Sequence, residues 1–126
     1  MPVVAMGGYF FRSKDPQKLK AWYRENLGVG GGCGADEKGE SNEYVWFTQG
    51  GPMVFEPFKA DSDYFPAEKQ AMVNLRVTDL GELLGRLRAA GIEITREESM
   101  DGVGSFARIH DPEGNPIELW EHQAQV

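Results

Sequence analysis

The acidic residue Glu118 is the side chain on which a chemical interpretation of this sequence depends. It follows a turn sequence, Asp-Pro-Glu-Gly-Asn at 111–115, in a segment where apolar and polar residues alternate. Successive side chains of a β-strand point to opposite faces, so the alternation predicts a strand with Glu118 and Trp120 on one face and Ile117 on the other. Burying a carboxylate is costly unless a cation, a metal ion or a hydrogen-bond donor meets it. The pattern therefore predicts a polar site on one strand face.

A second strand is predicted just before the turn. Residues 106–110 alternate in the same way, and within 111–115 proline fixes one φ angle while glycine supplies a positive one. The two segments therefore form a predicted β-hairpin. His110 would lie at the strand end beside the turn, and we interpret it as a hydrogen-bonded or partly exposed histidine in preference to a metal ligand.

The sequence repeats one pattern twice. Each half has a strand-length apolar run, a helix that begins at an aspartate cap and a hairpin, and the two halves are related by offsets of 64 and 62 residues. Such a repeat predicts a duplicated strand–helix–three-strand unit. Each unit is too small to bury its sheet alone, so the two must close around a shared cleft. Glu56 and Glu118 would occupy equivalent positions in the two halves.

The predicted elements follow from apolar periodicity, caps and turn residues. They are, in chain order, a strand at 3–11, a helix from Asp15 to Gly28, a hairpin of 44–47 with 52–58, a strand at 72–77, a helix from Asp79 to Gly91, a strand at 92–95 and the closing hairpin. The polar and aromatic connection at 59–70 is long for so small a domain, which indicates a lid or a binding loop.

Composition limits the possible partners. The chain has 126 residues, 40% of them hydrophobic, which suffices for one core. Its net charge of −7 argues against nucleic acid or an anionic membrane as partner, and no apolar run is long enough to span a bilayer. The N-terminal residues lack the pattern of a secretory signal, and the single Cys33 cannot form an internal disulfide. We expect a cytoplasmic protein with a small-molecule ligand.

The sequence resembles the vicinal oxygen chelate superfamily, also called the glyoxalase/bleomycin resistance/dioxygenase superfamily. The resemblance covers nearly the whole chain and is most specific at 111–120, in Asp-Pro-Glu-Gly-Asn-x-Ile-Glu-Leu-Trp. It implies an α+β fold of paired βαβββ modules forming an incomplete barrel, usually in a homodimer. We expect a single domain over 1–126, with module 1 at approximately 1–60, a linker at 61–70 and module 2 at approximately 71–122.

The resemblance also identifies positions for a metal. Enzymes of this superfamily hold one divalent ion, which acts as a Lewis acid, with His and Glu residues from four equivalent strands. Those positions fall on Gly8, Glu56, Met72 and Glu118 in this sequence. Glycine has no side chain, and a thioether is a poor ligand for a hard or borderline divalent ion. We therefore expect no metal and no other cofactor, the alternative being one divalent ion such as Zn, Ni or Fe.

Two functions remain open. The first is a non-metal binding protein that holds a small organic molecule in the cleft. The second is a metal-dependent lyase of the glyoxalase I type, or a dioxygenase-related enzyme, with a substituted site. In either enzyme Glu118 and Glu56 are the candidate catalytic residues. The candidate ligand-binding residues are aromatic or basic: Arg12, Trp46, Tyr64, Phe65, Arg76, Arg108 and Trp120.

Overall fold

A four-stranded mixed sheet with two helices makes up the fold. The computed structural model describes residues 2–51 and 53–123. Its elements are α1 (Pro16–Leu27), β1 (Val73–Arg76), α2 (Leu80–Ala89), β2 (Arg96–Met100), β3 (Gly104–His110) and β4 (Pro116–His122). The strand order is β1-β4-β3-β2, with β1 parallel to β4 and the other neighbours antiparallel. The fold is α+β, the sheet is not closed into a barrel, and the second half forms the predicted βαβββ unit.

One face of the sheet carries the hydrophobic core. Ile117 and Leu119 alternate with polar residues along β4, as predicted, and both are completely buried. The apolar residues of both helices recur at helical spacing, so each helix presents one apolar stripe to this face. The buried core consists of Leu19, Tyr23, Leu80, Leu83, Leu84, Leu87, Ala107, Ile109, Ile117 and Leu119. The opposite face of the sheet is thereby left for polar and aromatic side chains.

The helix boundaries agree closely with the predicted caps. The Asp15 side chain accepts a hydrogen bond from the backbone N–H of Lys18, and α1 ends at Leu27, just before Gly28, whose φ of 66° lies in the left-handed region. The Asp79 side chain likewise accepts from the backbone N–H of Glu82 at the start of α2. Neither helix in the described chain is long and apolar enough to cross a membrane.

The turn between β3 and β4 is organised by the buried carboxylate of Asp111. Asp111 accepts hydrogen bonds from the backbone N–H groups of Glu113 and Asn115, at 2.9 and 3.0 Å, and from the Asn115 side chain at 2.7 Å. Its fourth donor is the Tyr23 hydroxyl of α1, at 2.7 Å. Burial and this hydrogen bond raise the pKa of Tyr23, so the phenol stays protonated as a donor. The turn therefore fixes α1 to the sheet.

A second contact joins the N-terminal half to the same turn. The carboxylate of Glu113 accepts hydrogen bonds from the Ser13 hydroxyl, at 2.6 Å, and from the backbone N–H of Lys14, at 2.8 Å. These two bonds lower the pKa of Glu113. Residues just before α1 are thus held at the end of the hairpin.

The second predicted strand of the second half is displaced. The sequence predicts a strand at 92–95, but β2 begins at Arg96. Ile92 and Ile94 are partly buried against the core, and the backbone N–H of Thr95 donates to the carbonyl of Arg108. The apolar run therefore leads into the sheet, and regular pairing with β3 starts one residue after it.

The predicted strands of the first half do not form in the described chain. Residues 3–11, 44–47 and 53–58 lie outside strands, and Asn42 and Val45 form only an isolated bridge; residue 52 lies outside the described residues. Val4 and Phe10 are 93% and 94% exposed. A strand is stable only when a neighbour satisfies its backbone groups, and local alternation cannot supply that neighbour. The prediction that both modules form strands is thus wrong for the first module of the single chain.

Candidate functional site

A row of four polar side chains crosses the sheet on the face opposite the core. The strand register places Asn74, Glu118, Arg108 and Arg96 side by side on β1, β4, β3 and β2. Asn74, Glu118 and Arg108 alternate along their strands with residues that pack into the core, and Arg96 pairs with Arg108 in the register, so all four share the other face. The sheet thereby assembles an amide, a carboxylate and two guanidinium groups in one line.

Glu118 is buried, and protein donors meet its carboxylate. The residue is 8% exposed. One oxygen accepts the Tyr64 hydroxyl at 2.5 Å, the other accepts the Asn74 amide at 2.8 Å, and Arg108 Nη2 lies 3.9 Å from the first oxygen. The sequence predicts that a buried carboxylate needs a cation or a hydrogen-bond donor beside it. Tyr64 and Asn74 supply the donors, and Arg108 supplies the cation. Glu118 is therefore fixed in position.

Tyr64 covers this polar row. The guanidinium groups of Arg96 and Arg108 lie 4.7 and 4.9 Å from the centroid of its ring, and contact with an aromatic ring stabilises such cations. Burial raises the pKa of Tyr64, and the hydrogen bond to Glu118 raises it further. The Tyr64 hydroxyl is therefore a donor at neutral pH. Phe58 packs against both Tyr64 and Phe65, with ring centroids 5.6 and 5.7 Å away. These contacts hold the 59–70 connection over the sheet.

A depression of about 510 Å³ opens beside this cover. Residues 61–67, which we call the cover loop, form one side, and Arg108 and His110 form the other. Asp61 and Asp63 of the cover loop are exposed. The volume falls in the range of about 300–1,000 Å³ that is typical of small-molecule sites. The connection predicted to be a lid or binding loop therefore borders this depression.

His110 should titrate below pH 6.5, because its pKa is lowered from the ordinary 6.5. Burial is the larger cause, and the positive charge of Arg108 is the second. The folded state then binds this proton less tightly than the unfolded state. His110 therefore makes its full contribution to the free energy of unfolding above about pH 6.5. This contribution is lost as the pH falls below that value and the imidazole is protonated. An NMR titration of the imidazole checks the midpoint, and a His110→Gln variant should lose this part of the pH dependence. A midpoint above 6.5 would contradict the assignment.

An aromatic row lies next to the polar one on the same face. Trp120 stacks on Phe106 with ring centroids 5.4 Å apart, and its indole N–H donates to the carbonyl of Val103 at 3.1 Å. Arg76 pairs with Trp120 in the strand register and donates to the carbonyl of Gly50 at 3.1 Å. The site face thus combines charged and aromatic surface, as the alternation along β4 predicts.

The structure brings only part of the predicted site together. Tyr64, Arg108 and Glu118 are in contact, Phe65 borders the depression, and Arg76 and Trp120 lie in the aromatic row. The three remaining residues are exposed and outside the sheet: Arg12, Trp46 and Glu56. Their proposed roles in binding or catalysis stay predictions.

Three residues of the site face were not identified from the sequence. Asn74 lies two residues before Arg76, so strand alternation could have placed it on the same face. Phe106 could have been found in the same way from Arg108. Arg96 could not, because the strand that carries it was predicted too early in the chain. Among residues 2–51 and 53–123, no three His, Cys, Asp or Glu side chains cluster closely enough to hold a metal ion.

Helices on one side of the sheet and a polar, aromatic surface on the other define an α+β protein of the open, barrel-like βαβββ class. The chain belongs to the Glyoxalase/Bleomycin resistance protein/Dioxygenase superfamily, whose sequence profile matches residues 5–119. This match confirms the predicted superfamily and fold class. No curated protein matches the chain in sequence.

Several solved structures share the fold over almost the full chain. TnmS3, an antibiotic binding protein from Streptomyces sp. CB03234, has 20% identity, coverage of 98% of this chain and 99% of that chain, and a TM-score of 0.61. A lactoylglutathione lyase from Agrobacterium tumefaciens has 20% identity, 96% coverage of both chains and a TM-score of 0.58. A superfamily member from Sphaerobacter thermophilus DSM 20745 has 15% identity, coverage of 97% and 100%, and a TM-score of 0.60. At these identities the likeness shows the fold alone.

Proposed function

We propose that this protein binds a small organic molecule over the polar and aromatic face of its sheet, without the catalytic metal of the superfamily. The observation that carries the proposal is that both oxygens of Glu118 accept hydrogen bonds within the protein, one from Tyr64 and the other from Asn74. Each of these donors occupies a lone pair that the carboxylate could otherwise offer to an ion. A divalent ion on Glu118 would also lie close to the cationic guanidinium of Arg108, which like-charge repulsion disfavours.

The chemistry of the other positions supports the same proposal. Gly8 and Met72 stand at two of the four ligand positions that the family resemblance identifies, and they supply no nitrogen or oxygen side-chain donor. Glu56 is exposed and outside the sheet. Divalent ions bind tightly when several such donors converge. The residues present therefore do not fit the four-ligand centre.

The alternative is a metal-dependent lyase or a dioxygenase-related enzyme in which Glu118 and Glu56 act on the substrate. One observation favours it, namely the buried carboxylate of Glu118 at the position of the last family ligand. One structural neighbour is named as a lyase and another as an antibiotic binding protein, so the shared fold is compatible with either function. Metal content distinguishes the two.

Elemental analysis after dialysis without a chelator should find no stoichiometric divalent metal in the native protein. Replacing Gly8 and Met72 together by histidine should raise retention of nickel or zinc, because two imidazoles would join the carboxylates. The matched control is the double alanine variant, which changes the same positions without adding donors.

Retention of one metal per native chain, lost on Glu118→Gln substitution, would favour the lyase. If the double histidine variant binds no more metal than the alanine control, the assignment of the four positions is wrong.

Binding itself should be visible by NMR. Titration with small aromatic compounds should shift backbone amide signals of the cover loop and of Arg108 and His110, because these border the depression. The signals of α2 residues on its exposed side serve as an internal control. Shifts confined to α2, or no shift with any compound at millimolar concentration, would contradict a binding site at this face.

We further propose that the protein is a homodimer located in the cytoplasm. The strand-length segments of the first half expose apolar side chains, among them Val4, Phe10, Val54 and Phe55, and β1 and β2 are the edges of the sheet. A second copy could cover these segments and pair with an edge. The cytoplasmic location rests on the single, unpaired Cys33.

Sedimentation at micromolar concentration should therefore show a species of twice the 14.0 kDa chain mass. Phe55→Lys should shift the distribution toward the single chain, because a charge would be buried in the contact. Lys38→Gln, at an exposed polar loop, is the matched control. A 14.0 kDa species for the native protein would contradict the dimer.

A further inference from the structure

The guanidinium of Arg108 is buried with part of its hydrogen-bonding capacity unused. The residue is 5% exposed. Its Nη1 donates to the carbonyl of Tyr64 at 3.0 Å, but Nε and Nη2 are buried without a hydrogen-bond partner in the described chain. The carboxylate of Glu118 is 3.9 Å from Nη2, which is an ion-pair distance but too long for a hydrogen bond. Buried charged donors without an acceptor are rare in native proteins and need an explanation.

The two unpaired atoms have a specific geometry. Nε and Nη2 lie on the same edge of the guanidinium plane, and their N–H groups point in nearly parallel directions. The two oxygens of a carboxylate match this edge and accept both hydrogen bonds at once. Glu118 accepts from Tyr64 and Asn74, and its nearer oxygen lies 3.9 Å from Nη2, beyond hydrogen-bond distance. The edge is therefore available for a carboxylate that the protein itself does not provide.

The surroundings identify the kind of molecule that would carry this carboxylate. Arg108 borders the depression together with the rings of Tyr64 and Phe65 and the imidazole of His110. The neighbouring Arg96 is paired with Glu98 at 3.3 Å and does not line the depression, whereas Arg108 does. Asp61 and Asp63 also border it, but both are exposed and so are hydrated. Aromatic surface beside a two-donor cationic edge suits an aryl carboxylate.

We propose that the ligand carries a carboxylate attached to an aromatic group, and that this carboxylate binds side-on to Nε and Nη2 of Arg108. The inference rests on the proposed small-molecule function and names the class of its ligand. Side chains of the cover loop enclose the guanidinium and turn aside when the ligand enters, while the Tyr64 hydroxyl keeps its hydrogen bond to Glu118. The ring of Tyr64 then packs on the aromatic group in place of the Arg108 guanidinium.

The test compares 2-naphthoate with 2-naphthamide, which have nearly the same shape and differ in charge. Calorimetric titration of the native protein should show that the carboxylate binds at least about tenfold more tightly, as charge-assisted hydrogen bonds require. Arg108→Gln should abolish this preference, so that the two compounds bind with affinities within about twofold of each other. Arg88→Gln removes another arginine, one that pairs with Glu97 on the surface, and should leave the preference intact.

A second measurement uses the native protein and so does not depend on whether the variant folds. In the native protein the Nε–H signal of Arg108 should shift downfield on addition of 2-naphthoate and stay unchanged with 2-naphthamide. Arg108→Lys keeps the charge but loses the paired edge, so it should retain only a small part of the preference.

Equal binding of the two compounds by the native protein, or an unchanged Nε–H signal, would overturn the assignment of Arg108 and leave the binding function standing. If neither compound binds at millimolar concentration, the proposed function fails, and this inference fails with it.

Discussion

Replacing Asp111 by alanine should lower the free energy of unfolding by about 3 kcal/mol or more, one of the two largest effects expected for a single substitution in this protein. The carboxylate accepts four hydrogen bonds, from Tyr23, the backbone of Glu113, and the backbone and side chain of Asn115. Alanine would leave these donors without an acceptor in a buried turn. Urea unfolding followed by circular dichroism measures the loss.

Asp36→Ala is the matched control for this substitution. Asp36 also accepts two backbone N–H groups, those of Lys38 and Glu40, but at an exposed loop where water can replace it. We expect a loss of about 1 kcal/mol or less there. Tyr23→Phe, which removes one of the four donors, should fall between the two variants. Equal losses for Asp111→Ala and Asp36→Ala would contradict a structural role for the buried turn.

Leu119→Ala is the second substitution with a large expected effect, a loss of about 2–5 kcal/mol in the free energy of unfolding. Leu119 is completely buried on β4, where it packs against the helices, and truncation would leave a cavity in the core. Thermal unfolding monitored by calorimetry checks the result.

Val103→Ala provides the comparison, because Val103 is 37% exposed in the turn before β3, and its loss should stay within about 0.5 kcal/mol. If Leu119→Ala unfolds no more easily than Val103→Ala, β4 does not form the centre of the core. Leu119 points away from Glu118, so the same variant should keep the ligand preference that Arg108 provides, as long as it is folded.

The second half of the fold could be predicted from the sequence because its signals are local. The alternation along β4, the turn at 111–115 and the helix that follows Asp79 each lie within about a dozen residues. The first half carries similar local signals but no strands in the described chain. Strand formation there depends on a partner for the backbone hydrogen bonds, and local sequence does not specify that partner.

The site was predictable in its parts but not in its contacts. Glu118 and Trp120 could be assigned to one face from alternation alone. The hydrogen bond between Tyr64 and Glu118 joins residues 54 positions apart, and nothing in the local pattern indicates it. The unused edge of Arg108 depends on side-chain conformation and on which acceptors lie within reach, so only a three-dimensional structure reveals it.

The parallel pairing of β1 with β4 has a consequence for the order of folding. β3 and β4 are joined by a short turn, and an isolated hairpin of this kind forms in about 1–10 μs. Asn74 and Glu118, by contrast, lie 44 positions apart, so β1 can join only after a long segment has closed. In refolding experiments the stack of Phe106 on Trp120 should therefore form early. The polar row, which needs β1, should be completed in the last step, so binding competence should appear later than tryptophan burial.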